Sequence, residues 1–588
     1  MMHRRTVSLL LAAVLVPGLL AGCGAAQRPE PTAPAPTAPA PTASAPLTVS
    51  TGLPGDPLTV LADADPSTRA LAMSRALFRR AQLVVTADAG DLNAQLLAAS
   101  AAVALGAPLL LTSADASVSA AVATELDRLG ATHVLSIAGG AGGARETAEP
   151  GATRTLLVAP ATPAALAALL PGSHGGAVTV TASAALAAVA GLDPRKPALL
   201  HAAEPAASPR TPTPAATPTA TPSPAPAAPA APPPTLPAIE RAAALSAGSV
   251  LATDDPSQLA PVATARAAGL AVHLVPVVDP NPQASAALVR ALATEHPSAV
   301  IALGAPFAHE PALDWKVRSA LTGTQLPGGG QVLFPDHLYV ALYGTPGAPV
   351  LGVLGEQGLT ASLARARAVA APYETLTDRT VVPMFEIIAS VAAGAAGPDG
   401  DYSNEKSVDE LRPWVEAAGK AGVYVVLDLQ PGRSDFLSQA KAYQPLLELP
   451  WVGLALDPEW RLKPHEKHLT QIGSVDAAEV NRVITWLADL TSRNALPQKM
   501  FVLHQFQLRM IQHRDLVDTS RDELALLIHV DGQGGQPDKQ ATWNALHVDA
   551  PAGVAWGWKN FYDEDHPTLT PKQTMTQVSP PPDLVTYQ

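Results

Sequence analysis

Val423-Tyr-Val-Val-Leu-Asp-Leu-Gln430 and Val452-Gly-Leu-Ala-Leu-Asp-Pro-Glu-Trp460 decide how this chain is read. Each is an apolar run of strand length that closes on an acid, with a second polar residue two positions on. Continuous apolar strands separated by helical patterns argue for parallel sheets covered on both faces. The same unit recurs on either side. Strands are predicted at His337–Tyr343, Val381–Ile387, Met500–His504, Leu524–Val530 and Gly553–Lys559. Helices are predicted at Ala361–Ala371, Val408–Ala421, Ser438–Leu447, Ala477–Ser492 and Lys539–Leu546. Seven such units over about 250 residues fit a TIM-like (β/α) barrel of eight strands, or a seven-stranded variant. An open doubly wound sheet is the other arrangement.

The residues at the strand ends point to a site. Strand two carries Glu386, strand three Asp428 and Gln430, and strand four Asp457 and Glu459. Strand five ends on His504 and Gln505, strand six on His529 and Asp531, and strand seven on Trp558 and Lys559. Residues i and i+2 share a strand face, and in a barrel the C-terminal strand ends meet at one mouth. Each residue also has a plain structural role available, as a helix cap, core histidine, ion pair or core tryptophan. Their recurrence at nearly every strand end favours a shared polar pocket with aromatic walls.

Glycoside hydrolysis needs two carboxyl groups about the scissile bond. Glu459 is the candidate acid, with Asp457 or Asp531 as partner. Glu386, Asp428, Gln430, His504, Gln505, His529, Trp558 and Lys559 are candidate substrate contacts. The Asp-Pro-Glu-Trp segment loosely resembles the strand-four acidic motifs of some barrel glycosidases. A metal-dependent hydrolase would draw ligands from His504, His529, Asp531 and Asp457, but an early His-x-His is missing, so no metal and no cofactor are expected. A Schiff base at Lys559 is disfavoured by neighbouring Asp563, Glu564 and Asp565.

Composition sets further limits. The chain has 588 residues, 38 Lys plus Arg against 51 Asp plus Glu, and a net charge of −13. Net acidity argues against a nucleic-acid partner. Its 60 prolines are roughly twice the ordinary share, and they concentrate in two stretches: residues 28–46, read as an extended spacer, and 205–237, read as a disordered insertion.

From about Leu58 to Phe307 short strands alternate with Ala-rich helices, which predicts a Rossmann-like α/β region. Strands are expected at Gln82–Thr86, Pro108–Thr112, His133–Ala138, Thr155–Val158, Ala177–Val180, Ala198–His201, Ser249–Ala252, Ala271–Val277 and Ala299–Leu303, with helices such as Thr68–Arg80 and Asn93–Leu105. The run Ala81-Gln-Leu-Val-Val-Thr-Ala-Asp-Ala-Gly90, then Gly106-Ala-Pro-Leu-Leu-Leu-Thr112 and His133-Val-Leu-Ser-Ile-Ala-Gly-Gly140, resembles the cell wall-binding repeat of type 2. The best copy spans 57–147. That resemblance implies non-covalent binding of anionic wall polymers. Two features depart from it: the acidic residue of the family's Asp-Ala-Leu element is absent at Ala94-Gln95-Leu96, and Lys196 is the only lysine before Lys316. A structural spacer is therefore the alternative for this region.

At the N-terminus, Arg4 and Arg5 precede the apolar run Leu9–Val16, too short to span a bilayer. The run leads to Leu20-Ala-Gly-Cys23, which resembles the lipobox of bacterial lipoproteins, and Cys23 is the only cysteine. The resemblance implies a signal peptide (1–22) and an acylated, palmitate-type anchor on Cys23. The organisation expected is a lipid-anchored linker (23–50), a wall-binding-like α/β region (51–320) and a TIM-like barrel (330–588). The protein is expected on the extracytoplasmic face of the cell membrane, with membrane lipid and cell-wall polysaccharide or peptidoglycan as partners. The function expected is glycan association with glycoside hydrolysis, or else non-catalytic carbohydrate binding or envelope interaction.

Overall fold

The computed structural model describes residues 45–139, 145–147, 154–172, 174–203 and 235–588. The signal sequence, Cys23, most of both proline-rich stretches and Gly140 lie outside the described residues. Residues 46–588 form one compact unit.

The C-terminal half is a closed barrel of eight parallel strands: β1 His337–Gly344, β2 Thr380–Ala392, β3 Tyr424–Leu429, β4 Val452–Leu456, β5 Lys499–His504, β6 Leu524–Val530, β7 Ala555–Asn560 and β8 Leu584–Tyr587. They neighbour one another in chain order, and β1 pairs in parallel with both β2 and β8, which closes the cylinder. The sequence pattern predicts the first seven. The eighth is four residues long and follows Pro580-Pro-Pro582, where turn chemistry dominates the local pattern.

Alternation along each strand sorts the side chains. On β1, Leu338, Val340 and Leu342 pack outward against the helical shell, while Tyr339 and Ala341 point inward. The inward set Tyr339, Met384, Tyr424, Met500 and Leu584 fills the floor, closed from below by Leu326 and Leu333. Tyr339 and Tyr424 meet edge to face at 5.5 Å, and the Tyr424 hydroxyl accepts the backbone N–H of Met500 at 3.0 Å. The barrel centre is thus a packed core.

Four helices of the shell arise where the sequence places them: Leu359–Ala370, Val408–Lys420, Ala477–Arg493 and Gln536–His547. The predicted Ser438–Leu447 helix is two, Phe436–Ala442 and Gln444–Leu447. Between β5 and β6 no α-helix intervenes; two short 3-10 turns and the strand Ile511–Gln512 replace it.

The N-terminal half is α/β, as expected. A five-stranded sheet orders Leu109–Thr112, Leu83–Asp88, His133–Ala138, Thr155–Pro160 and the antiparallel Arg145–Thr147. A four-stranded parallel sheet orders Ala271–Val275, Gly248–Thr253, Ala299–Leu303 and Leu58–Leu61. The helix Leu92–Leu105 is capped by Asp91, whose carboxylate accepts from Ala94 N at 2.9 Å. It ends at Gly106, left-handed at φ 66°, which turns the chain into the Leu109–Thr112 strand. The helix Leu313–Leu321 joins the halves at the floor side. Trp315 Nε1 donates to Leu496 O at 2.9 Å, and Arg318 donates to Ser492 O at 3.0 Å.

The floor leaves no room at Gly453. A Cβ there would lie 2.5 Å from Met500 O and 3.2 Å from the Tyr424 hydroxyl. Gly453→Ala is expected to destabilise the barrel by about 1–3 kcal/mol, read as a lower urea midpoint by tryptophan fluorescence. An unchanged midpoint would contradict the floor packing.

Candidate functional site

The inward positions above the floor are polar. β1 contributes Tyr343, β2 Glu386, β3 Asp428, β5 His504, β6 His529, β7 Lys559 and β8 Thr586. Asp457 and Asp531 follow directly on β4 and β6. Register places Tyr343 beside Glu386, His504 beside His529, and Lys559 beside Thr586. Most of the sequence-derived candidates therefore converge, although they come from six strands.

His504 is the centre of this layer. Its side chain is fully buried; Nδ1 lies 2.9 Å from Asp531 Oδ2 and Nε2 2.9 Å from Glu386 Oε1. A neutral imidazole can donate from only one nitrogen, so two carboxylate partners select the imidazolium. Burial pushes the His504 pKa down. The charge of Glu386 and the hydrogen bonds to both acids outweigh it, and the value stands well above the ordinary 6.5. Burial likewise pushes Glu386 up, but the histidine charges and bonds pull it well below 4.5. Burial holds His529 itself below its ordinary value. His529 packs against His504 with ring centroids 4.7 Å apart; its Nδ1 is 3.6 Å from Glu386 Oε1, too long for a hydrogen bond.

The remaining acids divide. Asp531 is raised by burial but lowered further by its bond to His504, so it stands below 3.8. Asp457 has no such partner. Its Oδ1 is buried and unbonded, and burial together with the charge of Glu459 drives it well above 3.8. Glu459 is pushed up to about 7, first by burial and then by Asp531. Asp428 accepts the Tyr343 hydroxyl at 2.8 Å. Burial raises it to about 6 against the pull of His504.

Above this layer an open cavity of about 570 Å³ is lined by Tyr343, Gln430, Asp457, Glu459, Trp460, Phe506, Asp531, Lys559 and Phe561, among others. Gln430 accepts Ala392 N at 3.0 Å. Glu386, Asp428, His504 and His529 are fully buried one layer below the cavity and do not line it.

Two candidates lie elsewhere. Trp558 precedes the inward Lys559, so the pleat turns it outward into a cluster with Ile528, Val530 and Trp543. Trp556 faces the same way, stacked on His547 at 3.5 Å. Gln505 follows the inward His504 and is also outward; it bonds Gln507 O, Leu508 O and Arg514. The aromatic wall of the cavity is Tyr343, Trp460, Phe506 and Phe561 instead. Asp565, expected beside Lys559, pairs with Lys539 at 2.7 Å.

Glu386, His504 and His529 have ligand atoms within 4.8 Å of one another, as do Asp457, His504 and Asp531. His504 belongs to both groups. A metal ligand needs a bare ring lone pair, whereas both nitrogens of His504 face carboxylate oxygens at hydrogen-bonding distance. The geometry is that of an ion-pair network.

No family model matches the chain, and no curated protein matches it. Among solved structures, Cwp6 from Clostridium difficile aligns over 59% of this chain and 67% of its own, at 11% identity and a TM-score of 0.29.

The ion-pair network makes stability depend on pH with a definite sign. The contribution of Glu386 is present above about 4.5 and is lost as pH falls through its depressed folded value. That of His504 is present below about 6.5 and is lost as pH rises through its raised folded value. Glu386→Gln leaves the imidazolium short of a counter-charge, at about 3–5 kcal/mol. The loss should be largest between these two values and shrink on either side, measured as urea unfolding of both proteins across pH. A pH-independent loss would refute the imidazolium.

Proposed function

We propose that the protein is a lipid-anchored envelope protein whose barrel binds a wall glycan and hydrolyses a glycosidic bond. One observation carries the reading: of the acids around one open cavity, Asp531 is bonded by His504 while Asp457 and Glu459 have no such partner. Asp531 is kept ionised by His504, while Glu459 reaches about 7 and Asp457 stands higher than a free carboxyl. Environments that drive neighbouring carboxyls apart are how one site assigns an acid and a base.

In this mechanism Glu459 donates its proton to the leaving glycosidic oxygen. The Asp531 carboxylate, with Oδ1 free of any bond, attacks the anomeric carbon. Water, activated by the now ionised Glu459, then breaks the glycosyl ester and restores both groups. Trp460 and Phe506 offer faces on which sugar rings stack. His504 is a positioning residue, since it acts through Asp531.

The N-terminal part of the reading rests on sequence. Cys23 at the end of Leu-Ala-Gly-Cys carries the acyl anchor, and more than one chain gives stable attachment. The α/β region then presents the barrel to the wall, and its repeat-like elements support contact with wall polymer.

Two experiments test these parts separately. Glu459→Gln is expected to cut reducing-sugar release from peptidoglycan or arabinogalactan-type polymers by about 10²–10⁴-fold. The wild-type rate should fall as pH rises through about 7, where Glu459 loses its proton. Equal activity would remove Glu459 from the mechanism, and glycan binding without sugar release would leave a carbohydrate-binding barrel. Cys23→Ser should move the protein from the detergent to the aqueous phase on partitioning; unchanged partitioning would refute the anchor.

A further inference from the structure

The cavity holds one cation that no acid touches, although its charge reaches Glu459, Asp531 and Asp428 from beyond ion-pair distance. Lys559 is 3% exposed, points inward from β7 and lines the cavity. Its Nζ stands 3.4 Å from the centroid of the Tyr343 ring and 5.1 Å from that of Phe561. Among the described residues its ammonium has neither an ion pair nor a hydrogen bond to protein. The acids that could have served are engaged or protonated. Asp531 holds His504, Asp428 holds Tyr343 and Asp565 holds Lys539. Asp457 and Glu459 have raised values, so below about 7 they repel an incoming anion weakly. Glu564 lies exposed at the rim.

An ammonium offers three N–H donors and no acceptor. Aromatic faces stabilise its charge but use none of those donors. A nearly buried lysine in that state is completed by a ligand that brings negative charge, because buried charges are ordinarily paired. Neutral sugar hydroxyls would satisfy the donors but bring no charge into contact with the ammonium.

We propose that the cavity selects acidic sugars, with Lys559 the specificity-determining residue that binds a carboxylate or phosphate carried on the glycan. This rests on the glycan reading of the barrel and names its substrate class. The anionic group sits over the Tyr343 side of the cavity, while the glycosidic bond lies toward Glu459 and Asp531.

The test is calorimetric binding with the full chain carrying Glu459→Gln, so that no turnover enters. Trigalacturonate is compared with the matching neutral galactose trisaccharide, and glucose 1-phosphate with methyl glucoside. At least one acidic probe is expected to bind about tenfold or more tightly than its neutral counterpart, with the preference shrinking as salt is added. A preference confined to trigalacturonate assigns the site to carboxylate sugars; one confined to glucose 1-phosphate assigns it to phosphorylated sugars. Lys559→Met should abolish the preference and Lys559→Arg should retain it. Equal affinity for acidic and neutral probes, or no binding of either acidic probe, would overturn the proposal, as would a preference that survives Lys559→Met. Should Lys559→Met fail to fold, the comparison of matched ligands alone decides. Acidic preference in Glu459→Gln together with no sugar release by the wild-type protein would sink the cleavage reading and leave this one standing. Release from neutral glycans with no acidic preference would do the reverse.

Discussion

The upper layer of the barrel depends on one buried charge. His504, sealed from solvent and held between Glu386 and Asp531, carries a positive charge in a place where an unpaired one would be strongly disfavoured. It fixes two of the five acids of the mouth as carboxylates. The others, Asp428, Asp457 and Glu459, receive no comparable partner, and burial with mutual repulsion raises them. A single imidazolium thus divides a crowded acidic cluster into members held below and members raised above the ordinary carboxyl range. The packed floor of Tyr339, Tyr424 and Met500 supports this arrangement by keeping the groups above it from sinking into the barrel.

Much of the barrel was legible because apolar runs of fixed length, each closing on a polar residue, recur in the sequence. The same alternation that brought Asp428, Asp457, His504 and His529 together also separates Lys559 from Trp558 and His504 from Gln505, since adjacent strand residues face opposite ways. Assigning both members of such pairs to one wall overlooked that rule, and the tryptophans found their partners in the helical shell. Tyr343 was missed for a different reason. The predicted first strand closes on an aromatic instead of an acid, and the role of Tyr343 emerges only from the neighbours it meets, Asp428 through its hydroxyl and Lys559 over its ring. The eighth strand was hidden by the prolines before it.

The protonation states were not legible at all. Nothing in the string of residues tells Asp531 from Asp457; their difference lies in whether a histidine from another strand reaches them. In the α/β half many elements could be read, including the helix that ends at Gly106, but the predicted helix Thr68–Arg80 stops at Leu77, where Phe78–Ala81 becomes a strand, and the strands Leu47–Thr51 and Leu58–Leu61 were not foreseen. Their partners could not, because strand order depends on contacts between segments far apart in the chain.

That long-range order has a kinetic side. The strand Leu58–Leu61 completes its sheet against Ala299–Leu303, and Leu47–Thr51 pairs with Ile239–Glu240. Each pairing closes a loop of most of the α/β half, and the entropy of such closure is lost before any contact returns it. A nascent chain emerging from its N-terminus must therefore carry one unpaired edge of Leu47–Thr51 until Ile239–Glu240 appears, and Leu58–Leu61 unpaired until the segment near Leu303 does. Slow acquisition of the α/β half, with a need for protection from premature strand pairing on the way, is built into the topology.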